Sequence, residues 1–187
     1  MRKTNVLLIG GSAGSLDVLF KFLPTLDPNL NFPLILVVHR KSGKEELLTQ
    51  LLASKTQLKV KEAQEKEVLE SGTLYIAPPG YHLLIEKDHT LSLDSSEKIN
   101  FSRPSIDVSF ESAAAIYGSG TIGLLLSGAN ADGTQGLKCI QEKGGFCIVQ
   151  DPTTAKVPFM PLHASTMLTV DRVLKPQQMA QFINSLN

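Results

Sequence analysis

Only two cysteines occur in 187 residues, Cys139 and Cys147, and neither lies in a C-x-x-C pair or near a histidine cluster. This gives no basis for a disulfide framework or a thiolate metal centre, and two buried thiols in a reducing compartment are expected. Net charge is also missing, because 18 basic residues balance 18 acidic ones. No global field therefore draws the chain to nucleic acid or to an anionic membrane. No apolar stretch approaches the ~20 residues that a membrane-spanning helix needs. The apolar run Val6–Ile9 near the start is shorter than a signal-peptide core of ~7–15 residues and ends in glycines, which places the protein in the cytoplasm. Internal repeats, low-complexity runs and long Gly/Ser linkers are lacking too, so nothing divides the chain, and one domain over residues 1–187 is expected.

What is present has the balance of an ordinary globular domain, with 42% apolar and 19% charged residues. Val6–Ile9, Leu34–Val38 and Ile122–Leu126 are short apolar runs without polar alternation, as in strands buried on both faces of a parallel sheet. Each is followed by a loop and a helical pattern: Leu16–Leu23, Glu45–Ala53 and Gly136–Glu142. This alternation predicts an α/β fold with a doubly wound, mostly parallel, Rossmann-like sheet. Leu58–Val60, Thr73–Ala77 and Phe146–Val149 supply further strands, and Leu83–Glu86 with Thr90–Leu93 predicts an antiparallel β-hairpin around Lys87-Asp88-His89, which would make the sheet mixed. Ile106–Ile116 is predicted helical with Ser105 as its N-cap, and Gln177–Leu186 closes the chain as a helix after Pro176.

Three of these strands end in residues with chemistry. Gly10-Gly11-Ser12-Ala13-Gly14 matches G-x-S-x-G between a strand and a helix. A nucleophile on a sharp turn needs small neighbours, and the following helix N-terminus offers N–H groups to an oxyanion. Taken alone, such a turn fits a phosphate loop equally well. His39 ends the second strand, where a lone histidine can also be a plain polar terminator. Asp132 ends the loop Ser127–Gly133, and an aspartate there equally suits a helix N-cap. Ligand crevices of open α/β sheets form outside the carboxyl ends of the strands, so a hydroxyl, an imidazole and a carboxylate are directed to one edge. That set is the inventory of a serine hydrolase. The order Ser12, His39, Asp132 differs from the Ser, Asp, His order of α/β-hydrolases. His163 is the nearest competitor to His39.

On the Gly10–Gly14 turn, the strand ending at His39, Tyr75–His82, Arg103–Asp107, Ser127–Gly133, Gln150-Asp151-Pro152 and Val157–Pro161, the chain resembles the catalytic domain of the chemotaxis protein-glutamate methylesterases. The likeness covers nearly its whole length. It implies catalytic roles for Ser12, His39 and Asp132 and hydrolysis of glutamate γ-methyl esters on the cytoplasmic helices of chemoreceptors. It also implies deamidation of receptor glutamines in some relatives, with methanol or ammonia leaving from the same glutamyl-enzyme. Tyr81, His82, Arg103 and Ser105 lie in the shared motifs but are given structural roles. The best-known relatives carry a phosphorylatable receiver domain before the catalytic domain, whereas this chain begins close to the first catalytic strand. It is expected to be a stand-alone esterase or an excised catalytic domain.

The chain departs from the family pattern at three places. Ser12-Ala13-Gly14-Ser15 stands where relatives often have Ser-Thr-Gly-Gly, Gly128-Ala129-Asn130 where they have Gly-Met-Gly, and Arg40 where an apolar residue follows the histidine. The expected mechanism has His39 taking the Ser12 proton, Asp132 orienting the ring, and backbone N–H groups near Ala13 and Ala129 receiving the oxyanion, with no metal or organic cofactor. Two other readings stay open. One is a receptor-binding domain weakened at Ala13 and Ala129. The other is an NADP-binding oxidoreductase using Arg40, although Ser12 and Ser15 occupy the second and third glycine positions of G-x-G-x-x-G.

Overall fold

The structure, a computed structural model, describes residues 3–40 and 45–187. Nine strands form in chain order: β1 Val6–Gly11, β2 Leu34–Val38, β3 Lys59–Glu62, β4 Thr73–Ile76, β5 His82–Ile85, β6 Leu91–Asp94, β7 Thr121–Leu125, β8 Phe146–Gln150 and β9 Arg172–Leu174. The helices are α1 Ser15–Phe22, α2 Glu45–Ala53, α3 Ile106–Tyr117, α4 Thr134–Glu142, α5 Phe159–Met167 and α6 Pro176–Asn184. Seven strands make one wholly parallel sheet in the order β3-β4-β2-β1-β7-β8-β9.

The central strands lack polar alternation because both faces are covered. Leu7, Ile9, Leu34 and Leu36 pack on Val18, Leu19 and Phe22 of α1, Leu52 of α2 and Met179 and Ile183 of α6. Their neighbours Val6, Leu8, Ile35 and Val37 face the other way, onto Ile106 and Phe110 of α3, Leu137 and Ile140 of α4 and Met160 of α5. Burying each such aliphatic side chain is worth ~1.5–3 kcal/mol, so the sheet depends on both helix layers. From β1 the chain winds through β2 to β3 and β4 on one side, then crosses to β7, β8 and β9 on the other. The reversal falls between β1 and β7, the position at which open α/β sheets place their ligand crevice, outside the carboxyl ends of the strands.

The expectation of a mixed sheet is corrected. β5 and β6 pair antiparallel in a separate two-stranded sheet. One side of this hairpin, Leu83, Ile85 and Leu91, is buried with Ile106 and Phe110. Its backbone is tied to α3 by Ser109 Oγ donating to Leu83 O (2.7 Å) and Ile85 N donating to Ser112 Oγ (3.1 Å). The hairpin therefore satisfies its apolar face on a helix and has no need of the main sheet's edge. The expectation of two buried thiols holds for Cys147, where burial pushes the thiol up to about 12, but Cys139 on α4 is only half-buried. Among the described residues no helix is long and apolar enough to cross a membrane.

The two helices that flank the crevice, α3 and α4, cross closely at Gly136. A Cβ there would lie 2.5 Å from Phe110 Cβ and 3.1 Å from the Asp107 backbone. Gly136→Ala gains helix propensity, but forcing these helices apart costs more, typically ~1–3 kcal/mol. We expect its urea unfolding midpoint to fall below that of the wild type; an equal or higher midpoint would show that the crossing tolerates the methyl group.

Candidate active site

Ser12 follows β1 in a turn too tight for side chains at its neighbours. Ser12 O accepts from both Ser15 N (3.1 Å) and Ser15 Oγ (2.7 Å), and a Cβ on Gly11 would lie 2.6 Å from Ser15 Cβ. Gly14 has φ +82°, a value that glycine adopts without strain, and a Cβ there would meet Lys156 Cβ at 2.7 Å and Ser127 Oγ at 2.9 Å. On the β7 side, Ser12 N donates to Ser127 O (2.9 Å), and Ser127 Oγ donates to Ala13 O (2.7 Å) while accepting from Val157 N (3.0 Å). Ser12 is thus held between the ends of β1 and β7, half-buried.

His39 stands beside it on the β2 side. Gly11 pairs with Val38 in the sheet, and His39 N donates to Gly11 O at 3.2 Å, so Ser12 and His39 leave neighbouring strands at the same level. The ring's Nε2 donates to Asp132 Oδ2 at 2.7 Å, and Ser102 Oγ lies 3.4 Å from Nδ1. Asp132 is fully buried (0% exposed), while the His39 side chain is 13% exposed. Among the described residues Ser12 Oγ donates to no protein acceptor. The structure therefore joins His39 to Asp132 directly and sets Ser12 next to them by strand register, without a hydroxyl-to-ring hydrogen bond.

The sequence reading of Asp132 and Ser105 as caps of their own helices needs correction. Ser105 occupies the N-cap position of α3 in extended conformation, but its hydroxyl donates to Asp132 Oδ1 (2.9 Å) and does not cap the helix. Asp132 instead takes the free N–H groups of α3: Ile106 N to Oδ2 (2.8 Å) and Asp107 N to Oδ1 (3.0 Å). In return Asp107 Oδ1 accepts from Gly133 N (2.8 Å) and Gly136 N (2.7 Å) at the start of α4. Each helix is thus capped by a carboxylate from the other's first turn or preceding loop, which places both acids where N–H groups and the positive helix end favour them.

The two carboxyls titrate differently. Burial drives Asp132 upward, but the His39 hydrogen bond and the N–H groups of Asp107 and Ile106 outweigh it and hold the group below its ordinary value. Asp107 is pushed up to about 7, first by burial, against the Gly136 N–H, and then by the neighbouring Asp132 charge. Two buried acids side by side resist ionising together.

The other residues of the shared motifs act as scaffold. Buried His82 accepts from Ser105 N at Nδ1 (3.1 Å) and contacts Glu97 O through Nε2 (2.9 Å). Arg103 Nη1 donates to Ser95 O and Ser96 O, each at 2.6 Å. Thr134 Oγ1 lies 2.9 Å from Nδ1 of His163, whose ring stacks on Phe159, so His163 does not replace His39 at the Asp132 carboxylate. Arg40 pairs with Glu62 at 2.8 Å on the neighbouring edge. Sequence reasoning missed Asp107, Asn100 and Ser102. Asp107 showed only as the last residue of the shared Arg103–Asp107 motif and as an acid at the start of a helix, with no role assigned to it, and nothing in the sequence linked loop 99–102 to His39. The backbone N–H groups of Ala13 and Ala129, in exposed loops on the two sides of Ser12, donate to no protein acceptor among the described residues.

Comparison with known proteins agrees with this geometry. Residues 7–183 match the family described as CheB methylesterase. A protein of Leptospira interrogans is 45% identical over 181 residues, covering 97% of this chain and 94% of that protein. Protein-glutamate methylesterase/protein-glutamine glutaminase 1 of Carboxydothermus hydrogenoformans is 37% identical over 183 residues, covering 95% of this chain but 54% of that protein. The crystal structure of the Thermotoga maritima CheB methylesterase catalytic domain superposes with a TM-score of 0.95 at 33% identity, over 99% of this chain and 100% of that one. A parallel sheet reversing between β1 and β7, a Ser-bearing turn at that reversal and a motif order shared over nearly the full length together place the chain in the CheB methylesterase family.

Proposed function

We propose that the methylesterase activity of this chain runs through Ser12 as nucleophile, His39 as base and Asp132 as the acid that orients it. The 2.7 Å bond between the His39 ring and a fully buried carboxylate carries this reading. With Asp132 held ionised, Nε2 bears the proton it donates, and the lone pair for accepting a proton is left on Nδ1. Ser12 and His39 leave neighbouring strands at the same level. In this reading the Ser12 hydroxyl and Nδ1 meet in the substrate complex, since catalytic hydrogen bonds often form or tighten only there.

In this mechanism Ser12 Oγ attacks the carbonyl carbon of a glutamate γ-methyl ester and its proton passes to His39 Nδ1. The oxyanion is received by the free N–H groups of Ala13 and Ala129, donors that cost no rearrangement at the moment of attack. Collapse breaks the bond to methoxide, which leaves as methanol with the proton from Nδ1. Water then attacks the glutamyl-enzyme by the same route, releasing glutamate and restoring Ser12. With glutamine as substrate, ammonia leaves instead, which would give the second activity in the relatives' names. The substrate in this reading is a methylated cytoplasmic helix of a chemoreceptor, met from the cytoplasm by one catalytic domain spanning the chain. The zero net charge is consistent with a protein partner in place of nucleic acid.

Ser12 and Asp132 differ in what else they hold, and their variants should separate. Ser12→Ala removes a hydroxyl without protein partners, and we expect methanol release from methylated receptor to fall by about 10³-fold or more with an unchanged unfolding midpoint. Asp132→Asn should also abolish most turnover, but it weakens the α3 cap and costs ~1–3 kcal/mol in urea denaturation. Near-wild-type turnover by Ser12→Ala would overturn the assignment.

Stability should depend on pH through Asp107. With its pKa raised from an ordinary 3.8 to about 7, the native state holds a proton that the unfolded chain has lost across that interval. Its contribution is therefore complete below pH ~4 and disappears as pH rises through about 7. We expect the wild type to unfold at higher urea concentration at pH 5 than at pH 8, and Asp107→Asn to flatten that difference. A wild-type profile rising from pH 5 to pH 8 would contradict the raised value.

A further inference from the structure

Residues Ile99–Ser102 form a two-residue hairpin turn. Ile99 N donates to Ser102 O (3.2 Å) and Ser102 N to Ile99 O (2.9 Å), while Asn100 and Phe101 between them have φ of 50° and 61°. Turns of this kind favour asparagine and glycine, and a bulky residue there is strained. Phe101 is nevertheless at the tip and 98% exposed, with Ile99 beside it at 43%. Among the described residues no other large apolar side chain is as exposed. An aromatic in water on an unfavourable backbone aids neither folding nor solubility.

The tip is also fixed relative to the site. Asn100 Nδ2 donates to Asp107 Oδ2 at 3.1 Å, and the other oxygen of that carboxylate holds Gly133 and Gly136 beside Asp132. On the other side of Phe101, Ser102 Oγ lies 3.4 Å from Nδ1 of His39. The phenyl ring is therefore borne on a braced arm one residue from the group that touches the base, at the edge where an ester-bearing side chain must arrive.

We propose that Phe101 is a substrate-positioning residue that packs against an apolar side chain one helical turn from the esterified glutamate. This rests on the reading of the chain as an esterase acting on receptor helices. Side chains three or four residues apart share a helix face, so a ring anchored on one of them sets which glutamate reaches Ser12. Phe101 then discriminates among glutamates by their apolar neighbours and takes no part in bond making.

The test compares methanol release by wild type and Phe101→Gly from two substrates, a methylated receptor cytoplasmic fragment and N-acetylglutamate γ-methyl ester. Glycine suits the positive φ, so the variant should be at least as stable as the wild type. Losing the contact of a buried phenyl group should raise KM for the receptor fragment about 10- to 100-fold. We expect kcat to stay within about twofold, the small ester to be hydrolysed as before, and Phe101→Leu to recover most of the loss. An unchanged KM for the fragment overturns the proposal, as does an equal loss on both substrates, which would make the turn a structural support of the site. A wild type that hydrolyses neither ester overturns the esterase reading and this proposal with it.

Discussion

The carboxylate of Asp132 accepts from four donors drawn from two other parts of the chain: the His39 ring, the Ser105 hydroxyl and the first two N–H groups of α3. A buried charge without such partners would cost several kcal/mol, and with them it becomes the point where imidazole, helix and loop are joined. The aspartate bonded to the ring also caps the start of α3, so its structural role and the chemical one proposed for it are one set of hydrogen bonds. Asp107 completes the exchange from the opposite helix, and the close crossing at Gly136 keeps the two acids in register.

The parallel sheet supplies the rest of the geometry. Strands that share a direction end at one edge, and the register of β1 against β2 brings Ser12 and His39 out side by side. Reversal of the winding between β1 and β7 falls beside Ser12, where sheets of this kind leave space for a ligand. Small residues then keep that space clear. Gly128 lies against Met160 on one side and Ser12 Cβ on the other, so a methyl group there would close directly on Ser12.

The central strands were legible in the sequence because burial on both faces leaves an uninterrupted apolar run, and β2 was found at its observed limits. The residues at and after the ends of those strands followed from the same pattern, which is how Ser12, His39 and Asp132 came to be considered together as one site. Other elements were hidden for physical reasons. No helix was predicted where α5 lies, between Pro158 and Met167; Pro161 is tolerated because a proline in a first turn lacks an N–H that the helix would not have bonded, and Met160 N is satisfied by Gly128 O at 3.0 Å. β9 has three residues, too few to show a period. The hairpin was recognised but misplaced, since its apolar side is as well satisfied by α3 as by a sheet. The exchange of caps between α3 and α4 joins positions 25 to 29 residues apart, whereas capping motifs are read within one turn.

The bond between His39 and Asp132 spans 93 positions of the chain. It cannot form until β2 and β7 have both been laid beside β1 and α3 has docked, since loop closure over such a span is compensated only by the contacts made afterwards. On the reading proposed above, a copy still folding, or locally opened at this edge, carries the serine without its oriented base. On that reading hydrolytic competence reports completion of the fold.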